Sequence, residues 1–249
     1  MKKAEKKDCT AIVLSAGQGK RMGTSVQKQY IELQGKPIIY YTLSVFQKSE
    51  IIDDIILVVG KDQLKYVQEE IVRKYHFTKV KTVVEGGHER YASVWQGLKA
   101  REYDKYYENI QDGYVFIHDG ARPFVDEEML ERAYDTVRKY KACVAGVPSK
   151  DTIKLINEEQ FAVTTPEREY VWAVQTPQVF EKTLIFEAYA RLMEEECVHV
   201  TDDAMVVEQM MRLPVKLFEG SYENIKITTP EDLDIARIFL SKKLKLSKI

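Results

Sequence analysis

From Leu14 to Gly23 the chain reads Leu-Ser-Ala-Gly-Gln-Gly-Lys-Arg-Met-Gly, and Lys28 follows in Gln27-Lys28-Gln29-Tyr30. A glycine-rich turn directly after a strand exposes backbone N–H groups and lets an anion approach closely. With Lys20, Arg21 and Lys28 beside it, the guest that suits these residue types is a polyphosphate. The spacing of Gly17, Gly19 and Gly23 is one residue too wide for the GxGxxG dinucleotide fingerprint, and there is no GxxxxGK[ST] P-loop. A second group is His118-Asp119-Gly120-Ala121-Arg122-Pro123. An Asp at the carboxyl end of a strand faces the crevice where α/β sheets bind ligands. Beside phosphates such a carboxylate suits Mg²⁺, which takes one or two carboxylates plus phosphate oxygens. An Asx turn at Asp119 and a surface ion pair at Arg122 explain the same residue types equally well. His118 reads as a packed or orienting group rather than a base.

Three weaker signals lie further along. In Asn224-Ile225-Lys226-Ile227 the alternation turns Lys226 away from its apolar neighbours, although a lone lysine is ordinarily just solvated. Gly86-Gly87-His88-Glu89-Arg90 reads as a strand-to-helix turn, and Thr201-Asp202-Asp203 as a helix N-cap.

The elements that must position these groups follow from periodicity. Short β-branched runs predict strands over Thr10–Ser15, Asp54–Gly60, Val80–Glu85, Tyr114–His118, Ala142–Val147 and Val215–Glu219. Helical spacing fills Pro37–Lys48, Asp62–Tyr75, Glu89–Arg101, Asp126–Tyr140, Lys182–Glu196 and Asp202–Met211. A last helix opens at Thr229-Pro230-Glu231-Asp232, where a capping box places Pro at the first helical position. The alternation predicts an α/β, Rossmann-like fold: a mostly parallel sheet with helices on both faces. It breaks near residues 150–165, where two alternating runs flank Asn157-Glu158-Glu159-Gln160, the pattern of an inserted β-hairpin arm. A two-stranded hairpin is marginal alone, so the arm is expected to pack on a second subunit. No linker or repeat divides the chain, which reads as one domain over residues 1–249 with a Lys-rich tail from Ser241.

Composition bounds the partners. The 249 residues carry a formal net charge of −2, which does not suit a general nucleic-acid binder. Cys9, Cys143 and Cys197 lie far apart with no metal-ligand spacing, as thiols in a reducing compartment do. Lys2, Lys3, Lys6 and Lys7 precede an apolar run imitating a signal peptide, but Cys9–Ala16 is too short and too β-branched. No stretch approaches the roughly 20 apolar residues of a membrane helix. A cytoplasmic protein is expected.

Taken together, the motifs resemble the 2-C-methyl-D-erythritol 4-phosphate cytidylyltransferases of the non-mevalonate isoprenoid pathway. The resemblance rests on Gly17–Met22 with Lys28, on Gly86-Gly87 with Arg90 and Ser93, and on His118–Pro123. Asp151-Thr152, Trp172–Gln178, Thr201-Asp202 and Asn224–Thr228 continue it in the family's order. It implies a CTP-dependent nucleotidyltransferase that dimerises through the arm and acts on a small sugar-alcohol phosphate. By the same match the Ser15, Ala16, Gly17 and Gly19 backbone meets the nucleotide, and Gly87, His88 and Ser93 lie near base and ribose. Arg21 and Lys28 clamp the triphosphate, Asp119 helps hold Mg²⁺ or another divalent cation, and Lys226 faces the α-phosphate. Thr152 and Arg168 bind the substrate phosphate across the dimer, while Arg122 and Thr201 line the sugar-phosphate pocket. His88 departs from the acidic residue that family members often carry. Ribitol-5-phosphate cytidylyltransferase shares the loop and Gln175-Thr176-Pro177-Gln178, but Trp172-Ala173-Val174 and Gly120-Ala121 favour the methylerythritol enzymes. Two other classes, a nicotinamide oxidoreductase and a non-catalytic nucleotide sensor, fit the glycine spacing or the set Lys28, Asp119 and Lys226 less well.

Overall fold

A computed structural model describes residues 6–17, 27–100, 112–196 and 199–246. The chain begins with β1 (Asp8–Ser15), followed by a small ribbon of β2 (Glu32–Leu33) and β3 (Lys36–Pro37), then α1 (Ile38–Lys48) and β4 (Asp54–Val59). A helical segment of α2 (Leu64–Tyr66), continued with π winding over Val67–Arg73, leads to β5 (Val80–Glu85) and α3 (Arg90–Lys99). Next come β6 (Gly113–Asp119), α4 (Glu127–Tyr140), β7 (Ala142–Pro148) and the hairpin of β8 (Leu155–Ile156) and β9 (Ala162–Thr164). The chain ends with β10 (Trp172–Glu181), α5 (Lys182–Leu192), α6 (Asp203–Met211), β11 (Lys216–Glu219) and α7 (Pro230–Leu246).

Seven strands form one sheet in the order β11-β7-β10-β6-β1-β4-β5. All neighbours are parallel except β10, which runs antiparallel between β7 and β6. Both faces are covered, as a parallel sheet requires. Cys9, Ala11 and Val13 of β1 enter an apolar cluster with α1 and α4, whereas Ile12 enters a second cluster with α3 and α5. Burial of a side chain such as Val13 or Ile12 contributes about 1.5–3 kcal/mol relative to exposure. Gly97 lets α3 lie directly on the sheet: a Cβ there would stand 2.7 Å from Ile12 Cγ2. On the other face Asp126 caps α4 by accepting from Met129 N at 2.9 Å, and Met129, Leu130, Ala133 and Val137 are buried.

The predicted strands and helices are all present, with shifted ends. The long strand β10 is missing from the sequence-based expectation because polar Gln175, Thr176 and Gln178 and a proline interrupt it, and its pairing with β7 shifts register between Val174 and Gln178. The arm keeps a shorter ladder than expected, Leu155 opposite Thr164 and Ile156 opposite Ala162. Asn157 Oδ1 accepts from Phe161 N at 2.9 Å and sets its turn. Ser241, expected to open a tail, is still helical, because α7 continues to Leu246 while Leu240 packs with Phe124 and Ile227. Cys9 and Cys143 are buried free thiols, and burial raises Cys9 to about 12. Cys197 lies outside the described residues.

Candidate active site

β1 is flanked by β4 on one side and β6 on the other, so the crevice opens at the carboxyl ends of these strands. A cavity of about 760 Å³ lies there. Ser15, Ala16, Gly17, Lys28, Gly87, His88, Ser93, Asp119 and Lys226 all line it, so nine residues singled out in the sequence converge. Gly19 and Arg21 lie outside the described residues.

Buried Gln29 closes the base of the loop: its Nε2 donates to Ser15 O at 2.5 Å and to Gly17 O at 3.2 Å. Across the cavity, Ser93 Oγ accepts from Gly87 N at 3.1 Å and donates to Glu89 O at 3.1 Å, fixing the turn into α3. That turn tolerates no added carbon, since a Cβ on Gly87 would stand 2.4 Å from Ala92 Cβ.

Asp119 ends β6 with its carboxylate among three cations. Lys226 Nζ is 2.8 Å from Oδ2, Arg90 Nε 3.6 Å from Oδ1 and Arg122 Nε 3.7 Å from Oδ2. Burial opposes the charge, but Arg90, Lys226 and Arg122 outweigh it and hold the carboxyl well below the usual carboxylate range. Lys226 lies beyond β11, and a polar scaffold brings it back. Asn224 Nδ2 donates to Thr176 O at 2.8 Å, Arg122 Nη1 to Asn224 O at 2.7 Å and Ile227 N to Ala121 O at 2.9 Å. Gln175 Nε2 adds a bond to Ser221 O at 2.8 Å.

Behind Asp119, His118 is fully buried. Its Nε2 is 3.2 Å from Arg122 O, an acceptor, so that nitrogen carries the proton. Its Nδ1 accepts from Thr176 Oγ1 at 3.0 Å, which accepts in turn from Asp119 N at 3.1 Å. Burial lowers the imidazole to about 4. His118 is a neutral spacer that orients the Asp119 backbone, as its sequence context suggested.

The sugar-phosphate expectations are not gathered in this cavity. Thr201 lines a second cavity of about 410 Å³, adjoining the first through Glu89 and Arg90. Asp202 N-caps α6 by accepting from Met205 N at 2.9 Å. Thr152 and Arg168 are exposed beside the arm, with Arg168 Nη1 donating to Lys150 O at 3.4 Å. Sequence reasoning assigned no role to Gln29, Arg90 or Thr176. Thr176 before Pro177 is a local signal, whereas Gln29 and Arg90 carry none and only the fold reveals their partners.

The donor chemistry suits a divalent cation carried by phosphates. No group of three or more His, Cys, Asp or Glu able to hold a metal occurs among the described residues. Asp119 supplies one ionised carboxylate facing the cavity, which matches Mg²⁺ bound mainly through a nucleotide's oxygens. Among the described residues no helix is long and apolar enough to cross a membrane.

A protein named 2-C-methyl-D-erythritol 4-phosphate cytidylyltransferase from Lachnospira eligens is 49% identical over 232 residues, 93% of this chain and 98% of that protein. Its namesake from Lachnoclostridium phytofermentans is 48% identical over 93% of this chain and 95% of its own. The crystal structure of 4-diphosphocytidyl-2C-methyl-D-erythritol synthase from Anaerococcus prevotii superimposes with a TM-score of 0.81 at 35% identity, covering 95% of this chain and all of that one. The profile of the 2-C-methyl-D-erythritol 4-phosphate cytidylyltransferases matches residues 9–242, and the chain belongs to that family of nucleotidyltransferases.

Proposed function

We propose that this chain joins CTP and 2-C-methyl-D-erythritol 4-phosphate to give 4-diphosphocytidyl-2-C-methyl-D-erythritol and pyrophosphate. The observation that carries the reading is the three-cation ring around Asp119, facing the glycine-rich turn in a chain of this family. The relatives named above favour methylerythritol phosphate over ribitol phosphate.

The nucleophile is a phosphate monoester oxygen. The second pKa of such an ester is about 6, so at neutral pH it is already largely dianionic and needs no general base. A neutral His118 is consistent with that. The oxygen attacks the α-phosphorus in line, the bond to the bridging oxygen breaks, and pyrophosphate leaves. The barrier is electrostatic, because a dianion must meet a triphosphate while charge grows on both. Lys28 and Arg21 neutralise the triphosphate, and Lys226 faces the α-phosphate. The Ser15–Gly17 and Gly19 backbone, with Gly87, His88 and Ser93, holds base and ribose. Asp119 would hold Mg²⁺, which when bound supplies Lewis-acid charge stabilisation.

The rest of the reading is one nucleotidyltransferase domain, working in the cytoplasm as a homodimer. The arm exposes Leu155, Ile156, Phe161 and Val163, and Phe161 at 71% exposure is an unusual aromatic to leave in water. Dimerisation through this arm would cover them and bring Thr152 and Arg168 toward the partner's site, with Arg122 and Thr201 completing the sugar-phosphate pocket. A pyrophosphate-release assay with CTP, UTP, ATP and GTP against methylerythritol and ribitol phosphates tests the reading. Turnover confined to CTP with methylerythritol phosphate is expected, and a preference for ribitol phosphate would overturn it.

A further inference from the structure

The wall between the two cavities is built around one ion pair that the reaction described above does not use. Arg90 Nη1 donates to Asp203 Oδ1 and Nη2 to Oδ2, both at 2.7 Å, in a parallel two-pronged contact. Asp203 has no exposed surface, and buried Tyr189 donates its hydroxyl to Oδ1 at 2.6 Å. Gln178 Oε1 accepts from Asp203 N at 3.0 Å and Ala204 N at 2.9 Å, while its Nε2 donates to Asp202 Oδ2 at 3.0 Å. Both prongs of the arginine are thereby committed to Asp203, and Nε is left turned to Asp119 at 3.6 Å. Burial alone would weaken the guanidinium charge, but Asp203 and Asp119 more than restore it.

A planar fork anchored at two points has one orientation, whereas a lysine in its place would pivot. Asp203 is not needed as a helix cap, because Asp202 fills that position. A buried carboxylate and a buried phenol spent on one arginine, which lines both cavities, are therefore unexplained by the packing of α6 alone.

We propose that Asp203 and Tyr189 are positioning residues: they clamp Arg90 as a fixed cation whose remaining face holds the Asp119 carboxylate in register with Lys226. This inference rests on the cytidylyltransferase reading. Asp119 does not touch Tyr189, so the phenol acts through two intervening groups. A small rotation of Arg90 would misplace the carboxylate during transfer and leave ground-state binding of CTP nearly intact.

The test compares the full-length protein with Tyr189→Phe and Asp203→Asn, measuring kcat, both KM values and Tm. Nitrogen-15 spectra of the arginine side chains accompany them. Asp203→Asn strands a buried charge and can fail to fold. Tyr189→Phe keeps the ring and removes only the hydroxyl, so it decides the matter. The expected result is a kcat lowered about tenfold, with both KM values within about threefold and a native Tm, together with faster rotation of the Arg90 guanidinium. A kcat within about twofold of the unaltered protein, or a loss confined to KM, overturns the clamp. Inactivity of the unaltered protein on both sugar phosphates would count against the cytidylyltransferase reading instead. The spectra then judge the clamp: hindered rotation freed by Tyr189→Phe supports it, and free rotation in the unaltered protein overturns it.

Discussion

Lys226 Nζ stands 2.8 Å from Oδ2 of Asp119, joining a C-terminal loop to the end of a central strand at the floor of the cavity. The pair is asymmetric. Asp119 keeps 10% of its side chain exposed and Lys226 keeps 38%, so the carboxylate fixes the ammonium from behind and leaves its front open. An ammonium held this way is preorganised for charge that appears outside the protein, on a ligand.

Removal of that charge is predicted to affect turnover. Lys226→Ser should lower kcat by about 100-fold or more, in line with the roughly 3–4 kcal/mol that one preorganised donor supplies. Lys28→Ala should behave similarly. Steady-state kinetics on variants with native circular dichroism would check both, and near-normal kcat in either would remove that residue from the mechanism.

His118 makes a prediction about stability. Its folded value of about 4 lies below the unfolded 6.5, so between those values the unfolded chain takes a proton that the folded one refuses. Its contribution is present above pH 6.5, is lost as the pH falls, and levels off below about 4. Between pH 7.5 and 5 the loss should reach about 2 kcal/mol. The depressed Asp119 carboxyl is lost at lower pH, below its unfolded range, so the two windows separate. Urea unfolding at both pH values should show this decline, flattened in His118→Gln. Equal slopes in the two proteins would refute it.

The arm carries two separable expectations. Phe161→Glu should convert a dimer to a monomer in sedimentation runs, because a charge would replace the exposed aromatic. Arg168→Ala should leave the dimer intact and raise KM for the sugar phosphate about tenfold with a smaller change in kcat. A kcat loss at unchanged KM would place Arg168 nearer the reacting phosphorus.

Gly87 is expected to be intolerant. A methyl group there would meet Ala92 Cβ at 2.4 Å, so Gly87→Ala must displace the turn that Ser93 holds. The Kd for CTP should rise with Tm nearly unchanged, as isothermal titration and melting curves would show.

Much of this was legible in the sequence, and the gaps have physical causes. β1, β4 and β6 are read easily because strands buried on both faces are nearly continuous in apolar residues, as Asp54–Val59 is from Ile55 onward. β10 escaped because its middle serves as a scaffold rather than a core: Gln175, Thr176 and Gln178 bond Ser221, His118 and Asp203. Asp119 was readable from its place after a strand, and Lys226 only as a residue facing away from its apolar neighbours. Their contact depends on Asn224 bonding Thr176, a long-range pairing without any local periodicity. The Arg90–Asp203 fork was hidden likewise, since an Asp inside the first turn of a helix looks like ordinary helix chemistry.

The central claim is tested most directly by pyrophosphate release from the purified full chain given Mg²⁺, CTP and 2-C-methyl-D-erythritol 4-phosphate. The account predicts stoichiometric pyrophosphate and a cytidine diphosphate-linked product, both abolished when the sugar phosphate is omitted. CTP binding without any pyrophosphate release, by protein with a native melting transition, would contradict it.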